Sequence, residues 1–187
     1  MRTSDADILT IPGLGGSGPD HWQSRWEAKL PSVRRVHQAN WDRPQLAAWR
    51  GRIIEEIERA SRPVILVAHS LGVLAAAHAV AALAGRETLS RIKGGFLVAP
   101  PSARILAHIE AVDPAFLSLP EARLPFPALL IASRNDPLSP YEESEALARR
   151  RGAELNDAGL SGHINIESGH GPWPEGLMRF AGFLKTL

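Results

Sequence analysis

The chain of 187 residues contains no cysteine. That excludes disulfide bridges, thiolate metal sites and a cysteine nucleophile. Lysine is nearly as scarce, at Lys29, Lys93 and Lys185 alone, so the basic charge is almost all arginine. An excess of either charge is missing as well. Lys and Arg number 21 against 20 for Asp and Glu, a formal net charge of +1. No global field draws such a chain to nucleic acid or to an anionic membrane. The one basic run, Arg149-Arg150-Arg151, falls at an expected helix end, where cations suit the macrodipole. No apolar run approaches the roughly 20 residues that span a bilayer. Met1 to Asp7 is mostly polar and has no signal-peptide core. A cytoplasmic protein is expected, with neither a nucleic-acid nor a membrane partner. Repeats, linkers and low-complexity tracts are absent too, so residues 1–187 are expected to form one domain, long enough for a sizeable core.

Six candidate strands alternate with helical segments. The strands are Ile8 to Ile11, Val33 to His37, Val64 to Ala68, Gly95 to Ala99, Ala128 to Ala132 and a weak sixth, Ala153 to Asn156. Helices are expected over Asp20 to Leu30, Gln45 to Ala60, Leu71 to Leu83, Tyr141 to Arg150 and Trp173 to Leu187. In the second of these, Leu46, Trp49, Ile53, Ile54 and Ile57 recur at three- and four-residue spacings on one face. Such alternation predicts an α/β fold, a mostly parallel sheet with helices on both faces. One stretch breaks the rhythm. Pro100 to Pro127 holds six prolines, with a short helix expected from Ala103 to Val112. It follows the fourth strand and so starts at the sheet's C-terminal edge, where open α/β sheets bind ligands. A wall or partial lid is expected there.

The richest stretch is Val64-Ile65-Leu66-Val67-Ala68-His69-Ser70-Leu71-Gly72. A buried strand runs into an apolar helix with Ser70 at the joint. That is the nucleophile-elbow arrangement, which lifts a serine hydroxyl above the sheet edge. Its usual form is G-x-S-x-G, and Ala68 replaces the first glycine as the next smallest residue. Ser is also a favoured helix N-cap, so the motif alone leaves a structural role open. A serine nucleophile needs a base and a carboxylate to hold that base. In the elbow's usual context the order is Ser, then Asp or Glu, then His. Asp136, in the Asn135-Asp136-Pro137 turn after the fifth strand, is favoured over Asp157. His163 and His170 both follow it, and local sequence does not separate them. The N–H groups of Leu14, in the loop Gly13-Leu14-Gly15-Gly16-Ser17-Gly18, and of Leu71 are the expected oxyanion donors. Trp22 and Trp26 share a helix face and are expected to be core, while Trp41 is open between core and pocket.

The chain resembles the small serine hydrolases of the retinoblastoma-binding-protein-9 and YdeN type, within the α/β-hydrolase superfamily. The matching pieces are Ile11-Pro12-Gly13, His21-Trp22-Gln23-Ser24-Arg25-Trp26, Trp41-Asp42-Arg43-Pro44, Ala68-His69-Ser70-Leu71-Gly72, Asn135-Asp136-Pro137, Gly162-His163-Ile164-Asn165 and Trp173-Pro174-Glu175-Gly176. The resemblance implies a three-layer α/β-hydrolase fold with strand order 2-1-3-4-5-6 and no large cap. It implies a Ser70, Asp136, His163 triad acting on small acyl esters, carboxylesterase-like, with no metal or organic cofactor. His170 has no counterpart role in that family. The partner motif of the vertebrate member needs a cysteine, so that binding does not carry over. Two other readings compete. One is a non-catalytic interaction module on the same fold. The other is a dinucleotide-binding domain, because Gly13 to Gly18 matches G-x-G-x-x-G, with Asp42 as its ribose acid.

Overall fold

A computed structural model describes residues 1–187. Six strands, β1 (Asp7–Ile11), β2 (Val33–Arg35), β3 (Val64–His69), β4 (Ile92–Val98), β5 (Ala128–Ala132) and β6 (Glu154–Asp157), form one sheet in the order β2-β1-β3-β4-β5-β6. Every neighbouring pair is parallel. The helices are α1 (Trp22–Lys29), α2 (Leu46–Arg59), α3 (Leu71–Ala82), the single-turn α4 (Ala103–Leu106), α5 (Tyr141–Arg151) and α6 (Pro174–Thr186). This is the α/β-hydrolase fold without a large cap between its strands. No helix is long and apolar enough to cross a membrane.

The inner strands β3 and β5 read as continuous apolar runs because both faces are covered, whereas the edge strands β2 and β6 carry polar residues. Successive side chains serve opposite cores. Leu66 and Ala68 of β3, Leu97 of β4 and Leu130 of β5 pack with α2, α3 and α5. Ile65, Val67, Phe96 and Ile131 pack with Trp22 and Trp26 of α1 and with Phe180 and Phe183 of α6. Both tryptophans of α1 are therefore core. Trp41 is half-buried against Trp49 and outside the pocket described below.

Three expectations need correction. β2 stops at Arg35, short of His37, and β4 starts at Ile92 rather than Gly95. Gly94 and Gly95 stand in the strand where neighbouring side chains leave little room for a Cβ. A Cβ on Gly94 would lie 2.7 Å from Leu187, and one on Gly95 would lie 3.3 Å from Phe126. The helix expected over Ala103 to Val112 ends at Leu106, followed by tight turns and a 3₁₀ turn at Pro114–Leu117. Asp113 draws this stretch onto α2, accepting from Leu46 N–H at 3.0 Å, while Phe116 packs on Trp49. The proline-rich segment is thus a wall of the core. None of its residues borders the pocket at Ser70, so it is no lid for it.

Candidate active site

β3 ends against the N-terminus of α3, and Ser70 makes the turn with φ 55° and ψ −129°. A non-glycine residue in such a conformation is strained and held by its surroundings. The turn is closed by packing on β1. A Cβ on Gly72 would lie 2.1 Å from the Ile11 carbonyl oxygen, so only glycine lets the helix approach. Ala68 is fully buried between Ile11 and Leu97. The Ser70 side chain makes no capping hydrogen bond to α3. Its Oγ lies 2.8 Å from His163 Nε2.

His163 Nδ1 stands 3.0 Å from both carboxylate oxygens of Asp136. A carboxylate only accepts, so the proton sits on Nδ1, and Nε2 is left to accept from the Ser70 hydroxyl. The Asp136 side chain is 3% exposed, and its Oδ1 also accepts from Leu138 N–H at 2.8 Å. One side chain thus both closes its own turn and reaches the His163 ring. The two rival residues go elsewhere. Asp157 pairs with Arg134, and His170 packs on Trp173 with Nδ1 near Ser168 Oγ.

The His163 loop is held at several points that sequence reasoning did not single out. Asn135 Oδ1 accepts from Gly162 N–H at 2.8 Å, and Ser133 Oγ accepts from Ser161 N–H at 2.9 Å. The same turn after β5 therefore fixes both Asp136 and the His163 loop. Trp22 Nε1–H donates to the Ile164 carbonyl at 3.0 Å, tying the loop to α1. His69 Nε2–H donates to the carbonyl of His163 itself at 2.9 Å. The available signal was a row of small polar residues, Ser133 and Asn135, beside the acid, and the histidine next to the serine.

His21, His69 and His163 form a row, with ring centroids 4.9 Å and 5.0 Å apart. Burial pushes the His69 pKa well below the usual histidine value, reinforced by the neighbouring His163 and His21. Burial also lowers His21 to about 4, with Arg35 and His163 adding to the effect. Both rings are neutral at neutral pH. His21 Nδ1 accepts the Gln23 N–H at the start of α1.

The glycine loop lies over the serine. A Cβ on Gly13 would lie 2.7 Å from Ser70 Cβ and 3.1 Å from both Ser70 Oγ and Leu71 N. Gly15 N–H is bound to the Trp41 carbonyl and Gly16 N–H to that of Gly13. Leu14 N–H has no such partner. Leu71 opens α3, so its N–H has no acceptor within the helix. The loop thus closes on Ser70, while α1 begins only at Trp22, so its glycines serve the serine turn rather than a helix-borne phosphate site. A pocket of about 310 Å³ opens here, bordered by Leu14, Ser17, His21, Leu138, Ile166 and Glu167 as well as Ser70 and His163. No cluster of three or more His, Asp or Glu side chains is placed to hold a metal ion.

A solved structure described as a YdeN-like hydrolase from Pectobacterium atrosepticum is 36% identical, with a TM-score of 0.84 over 98% of this chain and 93% of that one. The ydeN gene product of B. subtilis is 22% identical, with a TM-score of 0.74 over 95% of this chain and 98% of that one. Esterase 2 of Thermogutta terrifontis is 16% identical, with a TM-score of 0.69 over 100% and 85% of the two chains. The last two are likenesses of fold. No curated protein sequence matches the chain. The serine hydrolase family matches residues 8–182, and the chain belongs to it.

Proposed function

We propose that this serine hydrolase cleaves small acyl esters through an acyl-enzyme on Ser70. The observation that carries the reading is the unbroken hydrogen-bonded line from Ser70 Oγ through the His163 ring to the Asp136 carboxylate. His163 Nε2 takes the hydroxyl proton as Oγ bonds to the ester carbonyl carbon. The Leu14 and Leu71 N–H groups receive the oxyanion. Collapse of the tetrahedral species breaks the C–O bond, and the leaving alkoxide takes the proton from His163. Water then enters, gives a proton to the same nitrogen and releases the acid, restoring Ser70. Asp136 holds the tautomer and steadies the imidazolium throughout. The pocket's modest size supports short acyl groups. The two cores share one sheet, which supports reading residues 1–187 as one domain.

Turnover of p-nitrophenyl acetate and butyrate, with fluorophosphonate labelling, tests this in wild type, Ser70→Ala and His163→Ala. The expected result is labelling and turnover in wild type, both lost in Ser70→Ala, and turnover crippled in His163→Ala. A folded wild type that neither labels nor turns over either ester, or a Ser70→Ala variant that keeps its turnover, overturns the reading.

A further inference from the structure

The Arg149-Arg150-Arg151 run at the end of α5 plays no part at Ser70, and its side chains diverge. Arg149 pairs with Glu145 one turn back. Arg151 turns inward and is 5% exposed. A guanidinium carries five donors and keeps its charge, so a buried one ordinarily meets a carboxylate. Here Nη1 donates to the Ala122 carbonyl at 2.7 Å, and no side chain binds the rest of the group. Burial and the like charge of Arg150 both press its pKa downward, and no acid acts in the other direction.

Arg151 borders two apolar spaces. One is a void of about 20 Å³ beneath Leu74, Leu97 and Leu130. The other is a groove of about 160 Å³ between α3 and the chain at 122–125, bordered by Ala77, Val80, Ala81, Ala84, Leu89 and Pro125. Arg123 lies on the same groove, packed against Gly152. It has neither an ion pair nor a side-chain hydrogen bond. Arg151 and Arg123 therefore both border an apolar groove that no acid lines. The groove is about half the size of the pocket at Ser70, which suits a short chain. A carboxylate matches the planar fork of arginine with two oxygens and one charge.

We propose that this groove binds a short-chain carboxylate, its chain along α3 and its head on Arg151, with Arg123 as the second cation. The site is separate from Ser70: Ala77 and Ala81 stand about 10–17 Å further along α3 at the helical rise.

Isothermal titration of the full chain with hexanoate, hexanol and hexylammonium tests the proposal. Hexanoate is expected to bind once, with hexanol about tenfold or more weaker for want of the charge-assisted pair, and hexylammonium silent. Binding is expected to be lost in Arg151→Met, in Arg123→Met weakened, and in Ala81→Leu blocked by filling the groove. It is expected to persist in His163→Ala. If Arg151→Met does not fold, Ala81→Leu and Arg123→Met decide. The proposal is overturned if millimolar hexanoate gives no heat with wild type, or if hexanol binds equally well. It is overturned too if Ala81→Leu binds as wild type does, or if binding is lost in His163→Ala, which would put the carboxylate at Ser70.

Discussion

At His69 a single imidazole links the serine turn to the base without reaching the reacting atoms. Its Nε2–H holds the His163 carbonyl, and full burial keeps the ring neutral, so the donor persists across the working pH range. His69→Leu leaves that buried acceptor bare, a loss of about 1–3 kcal/mol. We expect kcat to fall roughly tenfold or more with little change in KM. His69→Gln, which keeps an N–H donor, should recover part of the rate. Equal losses in both variants, or a loss confined to KM, would count against a positioning role. Asp136→Asn keeps the shape but frees the wrong tautomer of His163. Steady-state kinetics should show kcat lower by roughly 10²–10⁴-fold. Ser70 and Asp136 were legible in the sequence because each follows a buried strand at a turn with its own residue signature. His163 and His170 were not separable from local residues, because the difference lies in what reaches them across the sheet edge. Asn135 and Trp22 grip the His163 loop, while His170 rests on Trp173.

Among elements, the junction of β1, β3 and α3 is the tightest. Gly72→Ala would set a methyl group against two backbone carbonyls, those of Ile11 and Pro12. Neither can move without shifting β1. Denaturant unfolding should show a loss of about 1–3 kcal/mol or more, accompanied by loss of ester turnover. Gly18→Ala, in the neighbouring loop, meets nothing within 4 Å, and its midpoint should shift by no more than about 0.5 kcal/mol. Comparable midpoints for the two variants would refute close packing at the elbow. Strand and helix periods made most elements legible, since each buries its apolar face against the sheet. The onset of β4 was hidden because glycine ordinarily weakens a strand. Here Gly94 and Gly95 make space for α6 and Phe126. The early end of α4 was hidden for another reason. The 107–117 stretch is shaped by contacts to α2, through Asp113 and Phe116, that lie more than 60 residues away in sequence.

For the molecule as a whole, the buried histidines set how stability responds to acid. The folded chain refuses a proton at His21 down to about pH 4, whereas an unfolded histidine accepts one near 6.5. Between those values the unfolded state binds more protons, so the contribution of His21 falls as pH falls and is spent below about 4. His21 accounts for about 3 kcal/mol of that decline, and His69 acts in the same direction. Thermal melts should be nearly flat from pH 7 to 8 and drop steadily from 6.5 towards 4. His21→Asn, which still caps α1, should shallow that slope; an unchanged slope would exclude His21 as its source. Strand order was legible only through the family resemblance, since alternating strands and helices predict a parallel sheet but not its order. The groove at Arg151 was not, since a run of three arginines at a helix end does not reveal which of them turns inward.

The spacing of the reactive groups along the chain also bears on synthesis. Ser70 and the residues that make its elbow precede His163 by 93 positions. At usual rates of about 5–20 residues per second, the ribosome takes roughly 5–20 s to cover that interval. During it, the nascent chain carries a serine on a tight turn with no imidazole to deprotonate it. On the proposed mechanism the chain is therefore inert while it is being made, until β6 has joined the sheet's edge and brought the His163 loop back over α3.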